Sequence, residues 1–139
     1  GGYMMNTIVR LTFVSMVTLA FMLMFVAVPA YSAEVIQIFH CQQDEDATEK
    51  DVVAAASEWL NAAKKMKGGD QLQASVHFPV VAHMGEHDFL FVIKAPSMEK
   101  WGMFMDGYNG SPAQEVDKKK FDNICDCPDS SLWEPIMIK

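Results

Sequence analysis

The chain has 139 residues, half of them apolar, with eleven basic against eighteen acidic residues and a formal net charge of −7. That length suits one small domain with a modest core. The acidic balance argues against nucleic acid or an anionic lipid surface as a partner, because either needs a cationic patch to neutralise phosphate.

Gly1-Gly2-Tyr3 precede Met4-Met5 and read as sequence upstream of a start. From Leu11 to Val28 there are eighteen residues without a charge, preceded by Arg10 and followed by Pro29-Ala30-Tyr31-Ser32-Ala33. Charged, apolar and small-residue segments in that order form a secretory signal. Cleavage is expected between Ala30 and Glu34, so residues 1–33 are read as an N-terminal extension with a signal peptide and residues 34–139 as a single α+β domain. The competing reading is an uncleaved anchor, since eighteen apolar residues just span a bilayer, and only that reading brings in a membrane. Export places the protein in the periplasm or outside the cell, with ten lysines left against the eighteen acids.

Val35 to Cys41 is apolar on both faces, the pattern of a strand covered on both sides. Thr48-Glu49-Lys50-Asp51 resembles a capping box with aspartate in the usual glutamate position and predicts a helix start. Val52, Val53, Ala56, Trp59, Leu60, Ala63 and Met66 then recur at helical spacing, and Gly68-Gly69 ends the helix. In Leu72 to Val80, Leu72, Ala74, Val76, Phe78 and Val80 alternate with polar residues, predicting a strand with one wet face. Pro79 has no donor and marks that strand as an edge. Phe89 to Ile93 is apolar throughout and predicts a central strand.

Pro96-Ser97 opens a second helix with Met98, Trp101, Met105 and Tyr108 on one face, and Asn109-Gly110 breaks it. Ser111-Pro112 starts a third helix, with the hydroxyl as cap and proline at the first turn, running to Lys120. Lys118-Lys119-Lys120 reads as a solvated helix end. Leu132 to Ile138, containing Pro135, is expected as a last edge strand.

Strand, helix, strand, strand, helix, strand is the order of the ferredoxin-like βαββαβ fold, an α+β architecture with a four-stranded antiparallel sheet and helices on one face. Ile36, Ile38, Leu90 and Val92 make the other face apolar as well. A second copy stacked sheet on sheet would cover it, giving a homodimer in the form of a dimeric α+β barrel.

Four features carry a family resemblance: Phe39-His40-Cys41 closing the first strand, the helical Trp59, Phe78-Pro79, and Asp126-Cys127 followed by Leu132-Trp133. On these the chain resembles a group of uncharacterised exported proteins of marine bacteria. Its architecture resembles the dimeric α+β barrels of the antibiotic-biosynthesis-monooxygenase type, which include cofactor-free monooxygenases and haem-degrading enzymes. The last strand of such a fold runs antiparallel beside the first, which brings Cys41 near Cys125 and Cys127. The matching Asp126-Cys127 implies a Cys41 to Cys127 disulfide and a Cys125 that is free or intermolecular; a Cys125 pairing and three reduced thiols are the alternatives. Cys125-Asp126-Cys127 has one spacer, against the two of the thioredoxin motif.

His83-Met84-Gly85-Glu86-His87 is the one metal-like cluster. A turn would bring the imidazoles of His83 and His87 together with Glu86 or Met84, a set suited to zinc or copper. Gly85 and the flanking strands argue for a hairpin instead of the helix of a zincin, which leaves plain turn histidines as the competing reading. Barrels of the resembled type hold ligands between helices and sheet, where His40, Phe91, Trp101 and Tyr108 are the candidate lining residues. No nucleophilic triad, phosphate loop or carboxylate pair is recognisable. The expected function is therefore non-enzymatic binding of a small apolar ligand or a protein partner, with no cofactor. The alternative is a cofactor-independent monooxygenase or haem-handling enzyme, in which haem or a transition metal would enter.

Overall fold

The computed structural model describes residues 33–81 and 88–138. Strand β1, Val35–Gln43, is followed by helix α1, Glu49–Ala63, and by the antiparallel strands β2, Gln73–His77, and β3, Asp88–Ala95. Helices α2, Met98–Asp106, and α3, Pro112–Lys120, lead through a 3₁₀ turn at Phe121–Asn123 into strand β4, Cys125–Trp133. The strands form one antiparallel sheet in the order β2-β3-β1-β4. This is the ferredoxin-like fold, with the two doubly apolar strands at the centre.

The helix starts follow from local chemistry. Thr48 and Asp51 cap α1 reciprocally: the Thr48 hydroxyl accepts from the Asp51 amide, and the Asp51 carboxylate accepts from the Thr48 amide at 2.9 Å. The Thr48 hydroxyl also donates to that carboxylate at 2.6 Å, and this bond, with that from the amide, holds its pKa below the ordinary value. Ser97 and Ser111 cap α2 and α3 in the same sense, and Pro112 occupies the first turn of α3, where a missing donor costs nothing. Gly68 has φ +82°, and a Cβ there would lie 2.6 Å from the Lys100 carbonyl oxygen and 2.8 Å from the Phe104 amide nitrogen. Glycine thus allows the connection after α1 to touch the backbone of α2.

One face of the sheet carries the core. Phe89, Phe91, Ile93 and Ala95 of β3 and Val35 and Cys41 of β1 are buried against Val52, Ala55, Trp59 and Ala63 of α1 and against Trp101 and Phe104 of α2. On the opposite face the register sets Ser75, Val92, Ile38 and Ser131 in one row and His77, Leu90, His40 and Asp129 in the next.

Several sequence expectations need correction. Strand β4 begins at Cys125, not Leu132, and Ile136, Met137 and Ile138 lie beyond it, each more than four-fifths exposed. The pairing partner decides this: β1 accepts β4 from Cys125 onward, although that stretch has little intrinsic strand preference. The register steps from His40↔Asp129 to Gln42↔Asp126, so Cys127 and Pro128 together face Cys41. That is a bulge on an edge strand, where a proline is tolerated. Strand β2 stops at His77, which leaves Pro79 outside it and Val80 exposed instead of facing the core. In α1, Val53 is exposed and Ala55 takes the buried place; in α2, Met98 and Met105 are exposed while Phe104 is buried.

The bulge sets Cys127 beside Cys41, and the two form a disulfide with a Cα–Cα distance of 4.0 Å, while Cys125 remains a buried free thiol. The bridge ties the end of β1 to the start of β4 across a sequence separation of 86. Closing a loop of that length stabilises the fold by about 4 to 5 kcal/mol on the chain-entropy account. Reduction should therefore lower the urea midpoint by on the order of 2 M, taking about 2 kcal/mol per molar as the urea dependence. An unchanged midpoint in equilibrium denaturation would show that the bridge carries no such load, and peptide mapping should recover Cys125 alone as the free thiol.

Candidate functional site

The core-side face of the sheet is not filled completely. A cavity of about 350 Å³ lies between the sheet and helices α2 and α3, bounded by β1, β3, β4, α1 and the 3₁₀ turn. Aromatic rings make up about half of its lining residues. Trp59 stands edge-on to Phe91, with centroids 5.3 Å apart at 88°, and edge-on to Phe104 at 5.9 Å and 79°. Phe104 continues to Tyr108 at 5.6 Å, and Phe91 to Phe121 at 5.3 Å. Such pairs add about 0.5–1.5 kcal/mol each beyond area burial. The wall is therefore rigid by packing.

A short polar relay crosses this wall. The Trp59 indole N–H donates to the Tyr108 hydroxyl at 3.2 Å, and that hydroxyl donates to the Asp117 carboxylate at 3.0 Å. Burial pushes the Tyr108 phenol well above its ordinary value, so it stays protonated and remains a donor. Burial also raises the Asp117 carboxyl, opposed by the Tyr108 hydrogen bond and reinforced by the nearby Asp122 charge. Cys125 faces the same space; its thiol donates to the Phe121 carbonyl at 3.6 Å, and burial pushes it up to about 12. A thiol so disposed is a poor nucleophile at neutral pH.

Gln37 of β1 reaches the cavity from the sheet side. Its Oε1 is buried and finds no hydrogen-bond partner among the described residues. Buried acceptors are nearly always paired, so an unpaired one on a cavity wall marks a place where a donor belongs.

Of the residues expected at a ligand pocket, Phe91, Trp101 and Tyr108 do line this cavity. His40 does not. Side chains alternate along β1, so His40 falls on the face opposite Phe39 and Cys41, exposed and paired in register with Leu90 and Asp129. His83 and His87 lie outside the described residues. Among the described residues, no group of three or more His, Cys, Asp or Glu is placed to hold a metal ion. Trp59, Phe104 and Asp117 were missed as lining residues. Trp59 and Phe104 had a signal, the apolar phase of their helices, whereas Asp117 meets Tyr108 only through the turn at Gly110.

No family model and no curated protein matches the sequence. Solved structures are similar in fold. SnoaB, a cofactor-independent oxygenase from Streptomyces nogalater, superposes with a TM-score of 0.53 at 5% identity, over 77% of this chain and 97% of that one. An uncharacterised NIPSNAP-like domain protein from Burkholderia xenovorans gives 0.56 at 6% identity, over 78% and 90%. The hydroxynitrile lyase of Passiflora edulis gives 0.51 at 12% identity, over 78% and 96%. Identities this low establish a common fold and nothing about chemistry.

The Asp117 shift has a stability consequence. A carboxyl whose folded pKa is raised binds its proton more tightly when folded, so its contribution is fully present below the ordinary value of 3.8 and is lost as pH rises through the folded value. Asp117→Asn can still accept from Tyr108 and carries no charge to desolvate. Urea titrations at several pH values should find this variant gaining on the parent protein as pH rises above about 4. A gap that stays constant with pH would contradict the raised carboxyl.

Proposed function

We propose that this protein is an exported homodimer that binds a small, largely apolar ligand, without catalysis, in the cavity between sheet and helices. The single observation carrying this reading is the ring-walled cavity itself. Ligand sites are typically apolar concavities of about 300–1,000 Å³ with a few placed polar groups. Here Gln37 and Asp117 supply the polar groups and Trp59, Phe91, Trp101 and Phe104 the apolar walls.

Export is supported by the leader pattern and by the Cys41–Cys127 bridge, since disulfides persist in oxidising compartments. In this reading residues 1–33 are a signal peptide, a segment outside the described residues apart from Ala33. Among the described residues no helix is long and apolar enough to cross a membrane. The resemblance to exported proteins of marine bacteria points the same way.

Ligand binding is tested with a neutral apolar dye such as Nile red. The purified protein should bind about one dye per chain with quenching of tryptophan fluorescence, given that Trp59 and Trp101 line the cavity. Met105 is part of the lining and 42% exposed, so Met105→Trp enlarges a rim residue without disturbing the core. It should weaken dye binding about tenfold, or roughly 1.4 kcal/mol. Equal binding by parent and variant would place the dye elsewhere.

Homodimerisation is supported by the outer sheet face. Leu90, Ile36 and Ile38 are half-buried and Val92 is buried on that face, while Trp133 is 58% exposed beside Ile36. Each aliphatic side chain fully withdrawn from water contributes roughly 1.5 to 3 kcal/mol, part of which association entropy consumes. Light scattering at about 50 µM should report a dimer, and Leu90→Asp should give monomers by placing an unpaired charge at its centre. A monomeric parent protein would end this part of the reading.

The alternative reading, a cofactor-independent oxygenase, draws on one observation: a carboxyl with a raised pKa on the cavity wall suits a general base. Haem handling would instead give a visible absorption band on adding haem.

A further inference from the structure

We infer that the cavity selects a cationic ligand, an organic ammonium whose apolar body lies among the rings and whose charged end meets carboxylates and ring faces. The inference deepens the ligand-binding reading and rests on it.

The first ground is the sign of the charges around the space. Asp117, Asp122 and Asp126 line the cavity, and among the described residues no lysine, arginine or histidine does. A carboxylate ligand would bring a fourth negative charge to that group with no cation to meet it. Asp117 is half-buried, and a like charge brought beside it there costs more than it would in water.

The second ground is the kind of wall. An ammonium is attracted to the negative faces of aromatic rings, most strongly to tryptophan, and the attraction grows as the site excludes water. Trp59, Trp101, Phe91, Phe104 and Tyr108 supply such rings, and Trp59 and Phe104 are nearly inaccessible to solvent. An aromatic cage of this kind would hold a neutral apolar ligand also. The carboxylates distinguish the two.

The third ground is the supply of hydrogen-bonding groups. The Tyr108 hydroxyl already donates to Asp117, and the Cys125 thiol already donates to the Phe121 carbonyl. Neither is free to serve a ligand acceptor. Gln37 Oε1 is an acceptor without a donor, buried at the sheet side of the same space. The unpaired Oε1 is a place for a ligand N–H donor, and an ammonium that carries one is its complement.

The test titrates the purified protein with three probes of one skeleton, benzyltrimethylammonium, benzyl alcohol and benzoate, following tryptophan fluorescence. The ammonium should bind at least about tenfold more tightly than the alcohol, with benzoate weakest. Asp117→Asn should weaken the ammonium about tenfold and the alcohol by much less, a split that loss of packing would not give. A paired Asp122→Asn and Asp126→Asn variant, at two exposed positions, repeats the test without touching Tyr108 and should cost the ammonium several-fold. Alcohol or benzoate binding as tightly as the ammonium overturns the charge assignment while leaving a ligand cavity in place. Failure of all three probes with Nile red still bound also overturns it, and failure of Nile red as well removes the cavity reading itself.

Discussion

The cavity depends on how one indole is satisfied. Trp59 is 3% exposed, and its N–H, taken out of water by α1, must find an acceptor inside. It finds the Tyr108 hydroxyl, which stands beyond the C-terminal end of α2 and passes its own proton toward Asp117 on α3. One chain of two hydrogen bonds therefore fixes α2 and α3 relative to α1. With the Trp59 ring edge-on to both Phe91 and Phe104, the helices cannot slide down onto the sheet to close the space. Removing the N–H would leave Tyr108 and Asp117 paired but would detach that pair from α1.

The opposite side of the cavity is fixed covalently. Strand β4 is a weak strand by composition, with a proline in its first half, and it lies on an edge where only β1 can hold it. The Cys41–Cys127 bridge at the bulge pins its start, and Cys125, two residues earlier, is thereby held facing the aromatic wall. A buried thiol with its pKa pushed up to about 12 beside a bridge resists exchange with it, because thiolate is the attacking species. The same desolvation raises both Cys125 and Asp117.

Parts of this arrangement were legible in the sequence because one physical signal dominated them. The doubly apolar runs of β1 and β3 announced central strands, and the capping box and apolar phase announced α1. Strand β4 was hidden because Cys-Asp-Cys-Pro-Asp-Ser-Ser has neither alternation nor strand preference; its conformation comes from β1 and the disulfide, both remote in sequence. The apolar run ending at Ile138 looked like a strand for the opposite reason, a local pattern with no partner to pair it. At the site, the rings of α2 and β3 followed from their faces, but His40 was assigned against the alternation of its own strand. Asp117 could not be found by spacing at all, since its role depends on a hydrogen bond that folds back around Gly110.

On the proposed ligand-binding reading, the ring wall, the orphan acceptor of Gln37 and the acidic rim enclose the space that an occupant fills. Native mass spectrometry of the protein recovered from the cells that make it tests that claim directly. The account predicts an added mass of one small molecule per chain, small enough for about 350 Å³, at lower occupancy in Met105→Trp. A parent protein that always carries its bare polypeptide mass, under conditions gentle enough to preserve its assembly, would contradict it.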